Sequence, residues 1–94
     1  MPVAQQEYID LPAKNKPVTR CKMRVSEVLH VKNADGSTDS ERVTLHAVYG
    51  ESGTENDQWS KWTPSANLSI TISNPLAFGK LSNGHEFFVD FIPA

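Results

Sequence analysis

Apolar side chains recur at every second position in four separate runs of this 94-residue chain, and that spacing builds sheet rather than helix. The cleanest run is Leu68, Ile70 and Ile72, interleaved with Ser69 and Thr71 and followed by Ser73. One face of such a strand is apolar and the other carries small hydroxyls. Thr63-Pro64-Ser65 precedes it and Ser73-Asn74-Pro75 follows it. Both segments break regular structure, because proline lacks an amide hydrogen and pushes its predecessor toward extended geometry.

The first run is longer. Cys21, Met23 and Val25 alternate with Arg20, Lys22, Arg24 and Ser26, so an apolar face backs a basic one. At Glu27 the phase slips, and the alternation resumes through Val28 and His30, or through Leu29 and Val31. One extra residue in a long strand predicts a β-bulge, which bends the strand and helps to curl a sheet. Asn33-Ala34-Asp35-Gly36 predicts a hairpin turn, with Gly36 free to take positive φ. The return strand is expected over Arg42 to Tyr49, with Val43, Leu45, Ala47 and Tyr49 inward. Gly50 to Asp57 carries four acidic or amide side chains and no apolar one, and is expected to be a solvated loop. Leu76 to Leu81 suits one helical turn or a loop carrying Phe78, and Ser82-Asn83-Gly84 a tight turn. Phe87, Val89 and Phe91, alternating with Phe88, Asp90 and Ile92, form the last run.

No helical period of any length accompanies these strands. The expected fold is all-β, a small antiparallel barrel or sandwich, and the long bulged first strand suits an OB-like barrel. Residues 18–94 are expected to form a single β domain behind an irregular N-terminal arm, residues 1–17, which holds three prolines. Tyr8, Ile9 and Leu11 place three large apolar groups within four positions of that arm. They are candidates to dock on the chain's own domain or on a neighbouring subunit.

Chemistry leaves few traces. The single cysteine, Cys21, cannot form an internal disulfide, and its inward parity makes it a core residue rather than a nucleophile. His30, His46 and His85 lie on three different segments, so a zinc site would need them to converge and a fourth group to join. The hairpin turn matches part of a calcium loop at Asn33, Asp35, Gly36 and Asp39, but Val31 and Arg42 stand where the strongest ligands belong. No Gly-x-Ser-x-Gly elbow, P-loop or His-Glu-x-x-His is present. The expectation is a protein without catalytic residues, metal or cofactor. No apolar run is long enough to span a bilayer, and the N-terminal stretch lacks the charged and apolar regions of a signal peptide.

Recognition is the more promising class. Arg20, Lys22 and Arg24 share one side of the first strand, and Arg42 is expected on the corresponding side of its partner. With Trp59, Lys61 and Trp62 they would form a basic platform interleaved with aromatics, the arrangement single-stranded nucleic-acid binders use. The formal net charge of -2 argues against strong, sequence-independent phosphate binding. Of the tryptophans, three positions apart, at least one is expected to plug the end of a small core, and the alternative makes one of them an anchor for a partner.

Five segments read together point further: K-x-R-V at Lys22 to Val25, V-x-L-x-A-V-Y-G at Val43 to Gly50, W-S-K-W-T-P-S at Trp59 to Ser65, I-S-N-P-x-A-F at Ile72 to Phe78, and N-G-H-E-F-F-V-D-F-I-P-A at Asn83 to Ala94. Over Arg20 to Ala94 the chain resembles a group of small tailed-bacteriophage proteins with endings similar to G-K-E-Y-Y-V-D-F-T-P. The resemblance implies expression in a host bacterial cytoplasm, with incorporation into a virion as one destiny, and names no catalytic residue. Three functions follow as expectations. The first is a non-enzymatic phage protein, a small virion component or accessory factor, working through contacts with itself, the virion or a host protein. The second is a single-stranded nucleic-acid-binding barrel. The third is an anti-defence protein that binds a host factor or nucleotide, for which no particular residue speaks. A membrane partner is not expected.

Overall fold

The computed structural model describes residues 14–94. Four strands are present: β1 (Thr19–Lys32), β2 (Thr38–Ala47), β3 (Asn67–Ile72) and β4 (Glu86–Phe91). A helix, α1 (Glu55–Trp62), lies between β2 and β3, and a single 3-10 turn (Pro75–Ala77) precedes β4. All strand pairs are antiparallel and the sheet order is β3-β2-β1-β4. The described residues thus form one open sheet with β3 and β4 at its edges, where sequence reasoning expected a barrel or sandwich.

The hairpin behaves as its residues dictate. Asn33 accepts from the amide of Gly36, whose φ is 88°, and the Asp35 carboxylate accepts from the amide and hydroxyl of Ser37. Pairing runs Met23↔Ala47 and Val25↔Leu45, then resumes at Glu27↔Thr44. Ser26 is the extra residue, so the bulge falls where the alternation slips. It turns Val28 back to the inner face, opposite Val43. The buried apolar set is Cys21, Met23, Val25, Val43, Leu45, Ala47 and Val48. Leu68, Ile70, Phe87 and Val89 from the edge strands, with Ala66 and Leu81 from the connections, pack against it. Full burial of a Val or Leu stabilises by about 1.5–3 kcal/mol, so this inner face holds the domain together.

Two expectations over the return strand need correction. Strand β2 begins at Thr38, four residues earlier than Arg42, and so includes Glu41. At its end, Val48 is buried and Tyr49 exposed: the Val48 amide still donates to the Lys22 carbonyl of β1 at 3.2 Å, one step past the last paired residue, Ala47.

The larger correction is α1. The acidic segment expected as a loop runs into a helix that also carries both tryptophans. Thr54 caps it: its hydroxyl accepts from the Asp57 amide at 3.3 Å, while the Asp57 carboxylate accepts from the Gly53 amide at 3.2 Å. Glu55 and Asp57 sit in the first turn and Lys61 in the last, the charge order that the helix dipole favours. No residue of α1 is fully buried, which is why apolar periodicity failed to reveal it.

Tyr8, Ile9 and Leu11 lie outside the described residues. Of the expected arm, only residues 14–17 are described, as a turn in which Asn15 takes a φ of 65° and donates its amide to Pro93.

Candidate functional site

The outer face of β1 carries the expected cations, and β4 brings an acid to each end of the row. Register sets Arg20 opposite Asp90, Lys22 opposite Phe88 and Arg24 opposite Glu86. Arg20 donates to Asp90 through Nε at 2.6 Å and Nη2 at 2.9 Å, a bidentate fork. Arg24 donates to Glu86 Oε2 through Nε at 3.0 Å and also through Nη2. Lys22, its side chain only 13 % exposed, lies 3.5 Å from Glu55 of α1 and 3.6 Å from Glu86. Asn56 of α1 adds a hydrogen bond to Glu86 at 3.0 Å.

An aromatic step completes the row. The Phe88 ring has the Arg20 guanidinium 5.2 Å and the Lys22 ammonium 5.7 Å from its centroid, within cation–π range. Trp59 packs against the same ring at 5.2 Å, tilted by 53°. The hydrogen bond from Arg20 holds Asp90 below the ordinary carboxylate range, and Asp90 in turn raises Arg20. Glu86 is likewise lowered, first by the Arg24 hydrogen bond and then by Asn56, against an opposing effect of burial.

Arg20, Lys22, Arg24 and Trp59 are thus brought together, but their charges and the Trp59 ring are engaged within the molecule. Arg42 stands one strand over on β2, opposite Leu29 and Thr71. Lys61 and Trp62 end α1, with Trp62 76 % exposed. The histidines do not converge, and among the described residues no group of three or more His, Cys, Asp or Glu side chains is placed to hold a metal.

Sequence reasoning missed two features. Glu41 is 1 % exposed on the inner side of β2, opposite His30 on one neighbour and Ile72 on the other. Its carboxylate accepts from the Gly79 amide at 3.1 and 3.3 Å and lies 3.1 Å from His30 Nδ1. The contact ties the segment between β3 and β4 down onto the sheet, beside a cavity of about 350 Å³ lined by Val28, His30 and Asn83 among others. The signal was available: Glu41 shares the inward parity of Val43 and Leu45.

The second feature is the rim of β4. Val18, Phe88, Phe91 and Ile92 are each about half exposed, at 49–54 %. They lie on or beside a strand whose far edge has no partner among the described residues. On the inner side, Leu68 of β3 and Val89 and Phe91 of β4 line one groove of about 200 Å³, with Cys21 and Met23 between them. The chain matches no protein-family model, no curated protein and no solved structure.

Proposed function

We propose that this chain is a non-enzymatic binding domain, a small virion component or accessory protein of a tailed bacteriophage, that recognises protein along the edge of β4 that has no partner among the described residues. The observation that carries the reading is the set of half-exposed apolar side chains at that edge, Val18, Phe88, Phe91 and Ile92. A free edge offers a row of unpaired backbone groups, and soluble proteins commonly guard such edges with lysine or proline. Between Glu86 and Phe91 there is neither. The two acids of β4 are already bound by Arg24 and Arg20, so a second copy can approach without meeting an unpaired charge. A second copy of the chain is therefore the partner this edge suits first. The phage assignment rests on the resemblance of those five segments to the group's pattern. In this reading the open sheet is a barrel left unclosed between its edge strands, β3 and β4.

Light-scattering mass measured from micromolar to near-millimolar concentration tests the proposal. The expected result is a concentration-dependent dimer or larger species, abolished by the Val18→Lys/Ile92→Lys double substitution with the circular-dichroism spectrum unchanged. A monomer at every concentration overturns it. The nucleic-acid alternative is disfavoured by the ion pairs that occupy three of its cations, Arg20, Lys22 and Arg24.

A further inference from the structure

We propose that the strand received by the β4 edge is β3 of a second copy, so that copies add head to tail into one continuous antiparallel sheet. This rests on the proposed recognition of a second copy by β4 and names the surface of that copy that is bound.

Strand β3 is the other edge of the sheet and, like β4, has no partner on its outer side among the described residues. It carries neither a charge nor a proline, the usual guards of an edge. The pairing fixes which backbone groups each edge presents, because directly opposite residues of an antiparallel pair alternate between bonded and unbonded. The Ala47 amide donates to the Ala66 carbonyl, so Leu45↔Leu68, Val43↔Ile70 and Glu41↔Ile72 are the bonded pairs of β2 and β3. Asn67, Ser69 and Thr71 then turn their amides and carbonyls away from β2, and all three residues are exposed. By the same alternation, the Val25 amide donating to the His85 carbonyl leaves Glu86, Phe88 and Asp90 turned away from β1.

The two rows match. Each strand has six residues. On each, the outward backbone groups belong to residues on the outer face, since Leu68, Ile70, Phe87 and Val89 pack on the core. Strand β3 runs parallel to β1 and β4 parallel to β2, so two copies in the same orientation bring β4 antiparallel to β3. The inner faces then join as well, with Phe87, Val89 and Phe91 continuing into Leu68, Ile70 and Ile72.

Charge separates this partner from a second β4. In a two-fold pair of β4 strands centred on Phe88, Glu86 of each copy stands opposite Asp90 of the other, and like charges directly opposite are destabilising. Against β3 the same carboxylates, which accept at more positions than one arginine fills, meet the amide and hydroxyl donors of Asn67, Ser69 and Thr71.

Light scattering on blocked chains is the test. The native chain should pass beyond dimer mass as concentration rises, because a head-to-tail contact leaves one edge open at each end. Ser69→Pro blocks the β3 edge without removing a bond to β2, since the Ser69 amide faces outward. Ser69→Lys/Thr71→Lys takes its place if circular dichroism shows that the proline unfolds the chain. Val18→Lys/Ile92→Lys blocks the β4 edge. Each blocked chain alone should be monomeric, and an equimolar mixture of the two should give a single 1:1 dimer through the intact edges. A β3-blocked chain that still dimerises overturns this proposal alone, because β4 then pairs with β4. A mixture that stays monomeric while the native chain associates overturns it too. A native chain that is monomeric at every concentration overturns recognition by the β4 edge itself, and head-to-tail addition with it.

Discussion

A carboxylate with 1 % of its surface exposed has given up nearly all of its hydration, and Glu41 recovers that loss from two directions. The Gly79 amide reaches both oxygens and His30 approaches from the neighbouring strand. Removing the side chain would strand the Gly79 amide and leave a void, so Glu41→Ala should cost about 2–4 kcal/mol in a urea titration. Glu41→Gln keeps an acceptor for Gly79 and should cost clearly less. A larger loss for Gln than for Ala would contradict this account. The outer carboxylates make the fold sensitive to acid. Glu86 and Asp90 bind protons more weakly folded than unfolded, as does Asp35 through the Ser37 hydroxyl and amide. Protonation therefore favours the unfolded chain. Their contribution is complete above the ordinary carboxylate range, about pH 4–4.5, and is lost as pH falls through the lowered folded values. The melting temperature should hold steady down to about pH 5 and then drop, with a shallower drop in Glu86→Gln/Asp90→Asn.

At the scale of elements, α1 is the piece most dependent on its ends. It buries no residue fully, so capping and its contacts with β1 and β4 carry most of its stability. Thr54→Ala should cost about 1 kcal/mol. Gly50 guards the same end: a Cβ there would stand 2.5 Å from Thr54 Oγ1 and 2.9 Å from the Asp57 amide nitrogen. Gly50→Ala should therefore lift α1 off the sheet at a cost of about 1–3 kcal/mol. Tryptophan emission should report that loss, through Trp59 leaving Phe88, at a lower temperature than circular dichroism reports loss of the sheet. Coincident transitions would mean that α1 is not a separate unit. The contrast between α1 and the hairpin explains what was legible in the sequence. The turn at Asn33 to Gly36 and the bulge at Ser26 are local decisions, written in adjacent residues and in one slip of alternation. The helix has no apolar stripe, and its only marker was polar, Thr54 three residues before Asp57. Likewise, the partners of Arg20 and Arg24 lie 70 and 62 residues away, so only the β1–β4 register could show that the cations are engaged.

For the whole molecule, nine basic and eleven acidic side chains leave a formal charge of -2, but distribution matters more than the sum. The row Arg20, Lys22, Arg24 would be the strongest positive feature of the surface if its partners were absent. With Asp90, Glu86 and Glu55 in place it is a set of ion pairs around Phe88. A phosphate backbone gains from such a row only by displacing carboxylates already held at hydrogen-bond distance. Single-stranded oligonucleotides should thus leave the tryptophan emission of the native chain unchanged even at low salt. The Glu86→Gln/Asp90→Asn variant frees Arg20 and Arg24 while nearly preserving side-chain shape, and shifts the formal charge by two. If self-pairing is what withholds binding, this variant should quench on titration and lose that response as salt rises, since each phosphate contact releases condensed counterions. Quenching by the native chain at low salt would reverse the preference between protein and nucleic acid as partners. An unresponsive variant would show instead that the β1 face lacks the shape of a strand-binding platform, whatever its charge.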